Sequence, residues 1–150
     1  MADRIDKQRR SRNMSLIRSK DTKPEIMVRK LLHRKGARFR LSNHSLPGSP
    51  DIVLPGRQLA IFVHGCFWHR HEGCRRTTTP ASNKEFWLQK FSDNLRRDAE
   101  AIAKLQGMGW NVVVIWECET MKPRVLESTV DELLDRYPLT QAAGNIPAGR

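Results

Sequence analysis

Apolar residues recur along the chain at spacings that distinguish helices from strands. A helix is predicted to begin at Thr22, a capping residue followed three positions later by Glu25 as in a capping box, and to end at Gly36. Two short runs of β-branched and aromatic residues flank a Pro55-Gly56 turn and predict a β-hairpin. The other predicted elements are a short strand over 37–41, a long helix over 84–106, a strand over 112–116 and a helix over 123–137.

This order of elements predicts the α/β class, with a small mixed central sheet flanked by helices. One folded domain is predicted over residues 21–137, preceded by an N-terminal arm of residues 1–20. Residues 138–150 are rich in Pro, Ala and Gly and are expected to form a disordered tail. The strand over 112–116 is expected to be fully buried. The residues expected to line the apolar face of the long helix are Leu88, Phe91, Leu95, Ile102 and Leu105.

Positive charge is concentrated at the N-terminus. The chain has 27 Lys and Arg residues against 16 Asp and Glu, a formal net charge of +11, and residues 1–40 hold 14 of the basic and 4 of the acidic ones. A basic end on a nearly neutral body predicts a polyanionic partner. Nucleic acid is favoured over a membrane surface, because this segment has no basic amphipathic face with bulky aromatic residues.

The apolar runs also bear on location. The longest of them, residues 59–63 and 112–116, are far too short to cross a bilayer. No apolar segment follows Met1, so a secretory signal is not expected and a cytoplasmic location is predicted.

Two apolar residues of the basic arm, Met14 and Ile17, have two possible roles. They could belong to a short helix that docks on the core. Alternatively, the arm rests on DNA and directs one of them toward the bases, as apolar wedges do in minor grooves.

Residues 64–74 contain three histidines and two cysteines, and a third cysteine follows the strand over 112–116. Three cysteines in an intracellular chain do not indicate a disulfide framework. Cys66, Cys74 and Cys118 with His71 would instead give zinc a closed tetrahedral site, which is structural because no position stays open for water. His64 and His69 lie close enough along the chain to replace His71. Cysteines that are merely small buried residues are the alternative, which suits the third cysteine better than the other two.

Asp51 begins the first strand of the predicted hairpin, and the loop after the second strand carries His64 and His69. A carboxylate there can hold Mg²⁺, and a neutral histidine can accept the proton of an attacking water. Structural roles are also open, a turn cap for Asp51 and a core contact for either histidine. The convergence of all three residues on one sheet edge favours phosphodiester hydrolysis.

The Pro50-Asp51 pair is half of a pattern found in restriction nucleases, whose second strand carries an acid, one further residue and a lysine. In this chain the second strand ends in Ala60-Ile61-Phe62-Val63-His64, which contains neither an acid nor a lysine. The standard arrangement is therefore excluded. Another group must activate the water, and His69 is the candidate.

Several motifs together resemble those of the very-short-patch repair (Vsr) DNA mismatch endonucleases. The string His64-Gly65-Cys66-Phe67-Trp68-His69 is highly specific, and the resemblance runs from about Asn13 to Cys118 and into the helix that follows. The other matching segments are Asn13-Met14, Asp21-Thr22 with Glu25, Leu46-Pro47-Gly48-Ser49-Pro50-Asp51, Glu85-Phe86-Trp87-Leu88 and Trp116-Glu117-Cys118.

The resemblance implies a restriction-endonuclease-like fold with a structural zinc ion, an endonuclease domain over 21–137 and a zinc-binding loop over 64–80. It implies a Mg²⁺-dependent enzyme that nicks one strand on the 5′ side of the thymine in a T·G mismatch, the product of 5-methylcytosine deamination. The expected partner is double-stranded DNA with that mismatch, contacted by the arm over 1–20. A monomeric enzyme is expected, with repair proteins acting downstream.

The resemblance also implies roles for matching residues. Asp51 would hold Mg²⁺ together with Val63, which stands where the family has a threonine and would serve through its backbone carbonyl. His69 would be the general base, while Glu25 and His64 would support the water and the phosphate. On sequence spacing alone Glu25 is a helix cap, and it could have both roles. The zinc ligands would be Cys66, His71, Cys74 and Cys118, and the aromatic wedge beside the mismatch would be Phe67, Trp68 and Trp87, with Met14 entering from the other groove.

Two other functions are compatible with the sequence. One is a noncatalytic, zinc-stabilised DNA-binding module. The other is a nuclease of the same fold that reads a matched site, as restriction enzymes do. A comparison of T·G and matched C·G duplexes separates all three: a mismatch nickase cuts only the T strand of the first, a binding module cuts neither, and a nuclease for matched sites cuts both equally.

Overall fold

The structure is a computed structural model that describes residues 22–41 and 45–140. The predicted arm over 1–20, with Met14 in it, and residues 141–150 of the predicted tail lie outside the described residues. The elements are α1 (Lys23–Arg34), β1 (Arg40–Leu41), β2 (Ile52–Leu54), a 3₁₀ turn (Pro55–Arg57), β3 (Leu59–His64), α2 (Lys84–Gly107), β4 (Asn111–Trp116), α3 (Glu117–Thr120) and α4 (Pro123–Arg136).

The four strands form one mixed sheet in the order β1-β2-β3-β4, which confirms the predicted α/β class. β2 and β3 pair antiparallel through the 3₁₀ turn, where Gln58 adopts a left-handed conformation with φ 51°. β4 pairs parallel with β3, because the chain returns to the same end of the sheet through α2. His64 lies opposite Trp116 in this register, so the ends of β3 and β4 are adjacent.

Successive residues of β3 point to opposite faces of the sheet, so each face has its own apolar cluster. Leu59 and Ile61 pack with α1 and α4 on one face, whereas Ala60 and Phe62 pack with α2 on the other. His64 shares the alternation of the second pair and therefore faces α2. β3, whose other side chains pack in the two apolar clusters, thus ends with the His64 imidazole beside α2.

Gly48 allows the loop before β2 to approach α2 closely. Its φ is 73°, and a Cβ atom at this position would lie 2.5 Å from the Cβ of Ala101. Only glycine accommodates both the left-handed backbone and this distance. The close approach brings Asp51, three residues later, to the same side of the sheet as α2.

Two details of the predicted packing are wrong. Leu88 and Leu95 are each 48% exposed, because the N-terminal half of α2 packs through Phe91 on the 64–80 loop rather than on the sheet. Only Ile115 is fully buried in β4, because this strand is at the edge of the sheet. Within the described residues, no helix is both long and apolar enough to cross a membrane.

Candidate active site and metal cluster

A cleft of about 860 Å³ opens where β2, β3, α1 and α2 meet. It brings together residues that lie far apart in sequence, and both acidic and basic side chains face it. The polar residues that line the cleft include Glu25, Asp51, His64, His69, Arg76, Asn94, Arg97 and Asp98.

Asp51 lies at the head of β2 and accepts a hydrogen bond from the backbone N–H of Val63, with 2.7 Å between N and Oδ2. Burial raises the pKa of Asp51 to about 6, although the Val63 N–H opposes this shift, and the nearby Glu25 carboxylate raises the pKa further. The carboxylate is therefore ionised at neutral pH but poorly solvated. A divalent cation would relieve that desolvation.

Glu25 both caps α1 and reaches the cleft. Its backbone N–H donates to Thr22 Oγ1 at 3.5 Å, and the Thr22 hydroxyl donates to Glu25 Oε2 at 3.1 Å. Arg29 donates to Glu25 Oε1 at 3.3 Å, and Glu25 is only 5% exposed. The predicted helix cap is confirmed, and the same side chain lines the cleft beside Asp51.

His64 and His69 stack face to face, with ring centroids 3.8 Å apart and an interplanar angle of 7°. His69 Nδ1 lies 2.6 Å from Asp98 Oδ2, whereas His64 Nε2 lies 4.0 Å from Asp98 Oδ1. Burial lowers the pKa of His64 to about 4, repulsion between the two imidazoles in their protonated forms adds to this shift, and Asp98 opposes it. His64 is therefore a neutral imidazole at neutral pH.

Asp98 and Asn94 were not predicted from the sequence. Asn94 Nδ2 donates to the carbonyl of Trp68 at 3.1 Å, and Asp98 lies one helical turn further along α2. Both residues belong to the face of the helix that Phe91, Ala101 and Leu105 bury. Polar residues at i, i+3 and i+4 positions of an apolar helix face were the signal that could have identified them.

The second cluster lies behind the loop and could hold a metal ion. The ligand atoms of Cys66, His71, Cys74 and Cys118 all lie within 4.8 Å of one another. His71 Nδ1 is 3.6 Å from the sulfur of Cys66 and 3.5 Å from that of Cys118. His71 is therefore the histidine of this group, and His64 and His69 belong to the cleft.

Two of the three thiols are harder to ionise than a free cysteine, and the third is easier to ionise. Burial raises the pKa of Cys66 to about 12 and also raises that of Cys118, whereas a backbone N–H of Arg76 lowers the pKa of Cys74. Adjacent thiolates repel each other, so they coexist only with a cation between them. His71 stacks on Trp116 at 4.1 Å and 10°, which fixes the direction of its ring.

Phe67, Trp68 and Trp87 come together at the outer end of the cleft. The Phe67 ring lies 5.1 Å from Trp68 and 5.8 Å from Trp87, measured between centroids, and Phe91 lies 5.2 Å behind Phe67. Phe86 is 60% exposed and packs edge-on against Trp87. The loop after β3 and the first turns of α2 thus present one aromatic surface that is only partly buried.

Comparison with known proteins identifies the family. Residues 2–76 match the family model of the DNA mismatch endonuclease Vsr. The chain is 47% identical over 135 residues to the type II nicking enzyme V.XorIIP of Xanthomonas oryzae pv. oryzae, covering 90% of this chain and 98% of that protein. It is 44% identical over 134 residues to the DNA mismatch endonuclease Vsr of Escherichia coli, covering 89% and 83%. The chain therefore belongs to the Vsr family of DNA mismatch endonucleases, which are endodeoxyribonucleases with a restriction-endonuclease-like fold.

Proposed function

We propose that this mismatch endonuclease nicks duplex DNA on the 5′ side of the thymine in a T·G mismatch. Such mismatches arise when 5-methylcytosine is deaminated. The observation that supports the proposal best is the joint placement of Asp51, His64 and His69 in one cleft, with His69 Nδ1 2.6 Å from Asp98. A metal-holding carboxylate and an oriented base are the two groups that phosphodiester hydrolysis requires.

Asp51 is the proposed Mg²⁺ ligand, and the backbone carbonyl of Val63 is the second protein ligand. When bound, the cation supplies Lewis-acid polarisation of the phosphate and neutralises the charge that develops on it. Glu25 borders the same part of the cleft and supports the attacking water. The donor set is oxygen only, as Mg²⁺ prefers.

His69 is the proposed general base. In the proposed arrangement His69 Nδ1 donates to the Asp98 carboxylate across the 2.6 Å contact, and Nε2 of the neutral ring keeps its lone pair for the water. Asp98 also stabilises the imidazolium that forms after the proton is accepted. The neutral His64 ring holds the base in place by stacking and is available to the phosphate.

Zinc is the proposed occupant of the cysteine cluster. With Zn–S near 2.3 Å and Zn–N near 2.05 Å, a tetrahedral site places sulfur and nitrogen ligands about 3.6 Å apart. The two sulfur-to-His71 distances, 3.6 and 3.5 Å, agree with that requirement. A closed set of three thiolates and one imidazole would join the loop over 64–80 to the end of β4 and stabilise the fold.

Phe67, Trp68 and Trp87 are proposed to enter the duplex beside the mismatch. A T·G wobble pair stacks less well than a matched pair, so separating the bases there costs less free energy. The arm over 1–20 is proposed to contact the DNA backbone, with Met14 entering from the other groove. The endonuclease domain would then span 21–137, with a zinc-binding loop over 64–80, and the tail would follow over 138–150, although its described residue Thr140 donates a backbone hydrogen bond to the Gly56 carbonyl at 2.9 Å.

The test uses end-labelled duplexes that contain either a T·G or a matched C·G pair, with Mg²⁺ present. We expect a single nick in the T strand of the mismatched duplex only, abolished in Asp51→Ala and His69→Ala. Asp98→Asn should also lower nicking, whereas its matched control Asp93→Asn, at a half-buried acid of α2 that pairs with Arg96, should leave nicking unchanged. Equal cleavage of the matched duplex, or binding without cleavage, would refute the proposal.

A further inference from the structure

Arg70 lies between the two halves of the site. It follows His69, whose ring contacts Asp98, and precedes His71, whose ring contacts Cys66 and Cys118. Its backbone is in the left-handed region with φ 54°, which is unfavourable for a residue with a Cβ atom. A strained backbone conformation of this kind persists only where contacts of the residue with its surroundings stabilise it.

The Arg70 guanidinium has an unusually full set of contacts for a partly exposed side chain. One nitrogen donates to the carbonyl of Phe67 at 3.2 Å and to that of Thr78 at 2.8 Å, and the other donates to Thr79 Oγ1 at 3.0 Å. These three acceptors lie on both arms of the 64–80 loop. The guanidinium therefore joins the start of the loop to its end.

The same guanidinium lies over an aromatic face. Its central carbon is 3.8 Å from the centroid of Phe91 and 5.6 Å from that of Phe67. Phe91 in turn packs edge-on against Phe67 and lies 5.8 Å from Trp87. Arg70 thus contacts the layer of rings immediately behind the exposed aromatic surface.

We propose that Arg70 is the positioning residue of the aromatic wedge, holding Phe67 against Phe91 in the direction needed to open the base step at the mismatch. The inference rests on the proposed function of Phe67, Trp68 and Trp87. Arginine suits the task because its planar fork donates in several directions while its face stacks on a ring. Lysine keeps the charge but provides neither property.

The experiment compares Arg70→Lys and Arg70→Gly with Arg75→Lys, an exposed arginine on the same loop. Glycine adopts the left-handed backbone without strain, so Arg70→Gly removes the side chain while relieving the φ of 54°. Each variant is given a T·G duplex with 2-aminopurine beside the mismatch, whose fluorescence rises when the base unstacks. A second duplex has the same mismatch next to an abasic site, so that its base step is already open.

We expect Arg70→Lys and Arg70→Gly to lower both the fluorescence rise and the single-turnover nicking rate on the first duplex, the latter by about tenfold. On the pre-opened duplex the loss should shrink to within about twofold, because opening is the step that Arg70 supports. Arg75→Lys should match the wild type on both substrates. Unchanged thermal melting of Arg70→Lys would show that the loss is not one of folding.

Three outcomes would overturn the inference. Wild-type fluorescence and nicking in Arg70→Lys would show that the guanidinium positions nothing. An equal loss on both duplexes would assign Arg70 to a step other than base opening. If the wild-type enzyme gives no fluorescence rise, the aromatic wedge itself is refuted, and this inference with it. If the wild-type enzyme gives a normal rise, a negative result with the Arg70 variants refutes only the role of Arg70.

Discussion

Two imidazoles separated by a single residue belong to two different clusters of side chains. His69 faces the open cleft, stacks on His64 and contacts a carboxylate of α2. His71 faces the cysteine cluster and stacks on Trp116 at the end of β4. The first environment leaves a nitrogen available for proton transfer, whereas the second surrounds a nitrogen with thiols. The loop directs the His69 side chain to the cleft and the His71 side chain to the cysteines, and this difference in direction makes one a candidate base and the other a candidate metal ligand.

The largest expected effect comes from replacing each of the two histidines by alanine and comparing the stability of the two variants. His71→Ala should lose the proposed zinc ion and unfold, because structural zinc contributes on the order of 10 kcal/mol, comparable to the whole stability of a small domain. His69→Ala should keep the metal and its melting temperature. Zinc content and thermal melting, measured on both variants, test the contrast. A His71→Ala protein that melts like the wild type would contradict a structural role for the cluster.

Substitutions in the cleft should lower the nicking rate without unfolding the protein. His69→Ala and Asp98→Asn should each lower single-turnover nicking by about 10²- to 10⁴-fold, because the base is removed in one and its proton is misplaced in the other. The double variant should be little worse than His69→Ala alone, since Asp98 acts through that ring. A double variant whose losses multiply would show that Asp98 acts independently of the base.

The pH dependence of stability should separate Asp51 from His64. The pKa of Asp51 is raised from 3.8 to about 6 in the folded protein. The stabilisation that Asp51 gives the folded state is therefore fully present below pH 3.8 and is lost as the pH rises through 6. The pKa of His64 is lowered from 6.5 to about 4. The stabilisation that His64 gives the folded state is therefore fully present above pH 6.5 and is lost as the pH falls through 4. Between pH 6 and 4 the two trends oppose each other.

Asp51→Asn should therefore raise the free energy of unfolding at pH 7 by about 1–2 kcal/mol while abolishing nicking, because a poorly solvated charge is removed. Relative to the wild type, this variant should lose stability as pH falls from 6 to 4, and His64→Gln should gain it. Urea denaturation without Mg²⁺ at several pH values measures both. Parallel pH profiles for the two variants would contradict the opposed signs.

The smallest expected effect concerns two neighbouring arginines of α2. Arg97 lines the cleft, whereas Arg96 lies within 3.7 Å of Asp93 and 3.6 Å of Glu100. Arg97→Gln should weaken DNA binding and lower the salt dependence of affinity by about one unit of slope, as expected for a lost phosphate contact. Arg96→Gln should leave that slope unchanged. Equal slopes for the two variants would remove Arg97 from the DNA-binding surface.

Sequence patterns predicted correctly those features of the fold that depend only on neighbouring residues. The cap formed by Thr22 and Glu25, the hairpin around Pro55–Arg57 and the start of α2 at Lys84 agree with the predictions, because caps, turns and periodicity are properties of neighbouring residues. The burial of α2 was misjudged at Leu88 and Leu95. Periodicity defines an apolar face but not what covers it, and here a loop covers half of the helix.

The sequence by itself determined which chemical groups are present: a carboxylate at the head of a strand, three imidazoles within eight residues, three thiols and a set of aromatic residues. Only the tertiary structure decided which of them act together. Residue spacing left open which histidine joins the cysteines, and the structure groups His71 with them, as the family resemblance implied. The structure also brings Asp98 to His69 from 29 residues away in sequence, which neither spacing nor resemblance had indicated. The physical reason is that the parallel pairing of β3 with β4, and the packing of α2 across the sheet, are long-range contacts that no local spacing encodes.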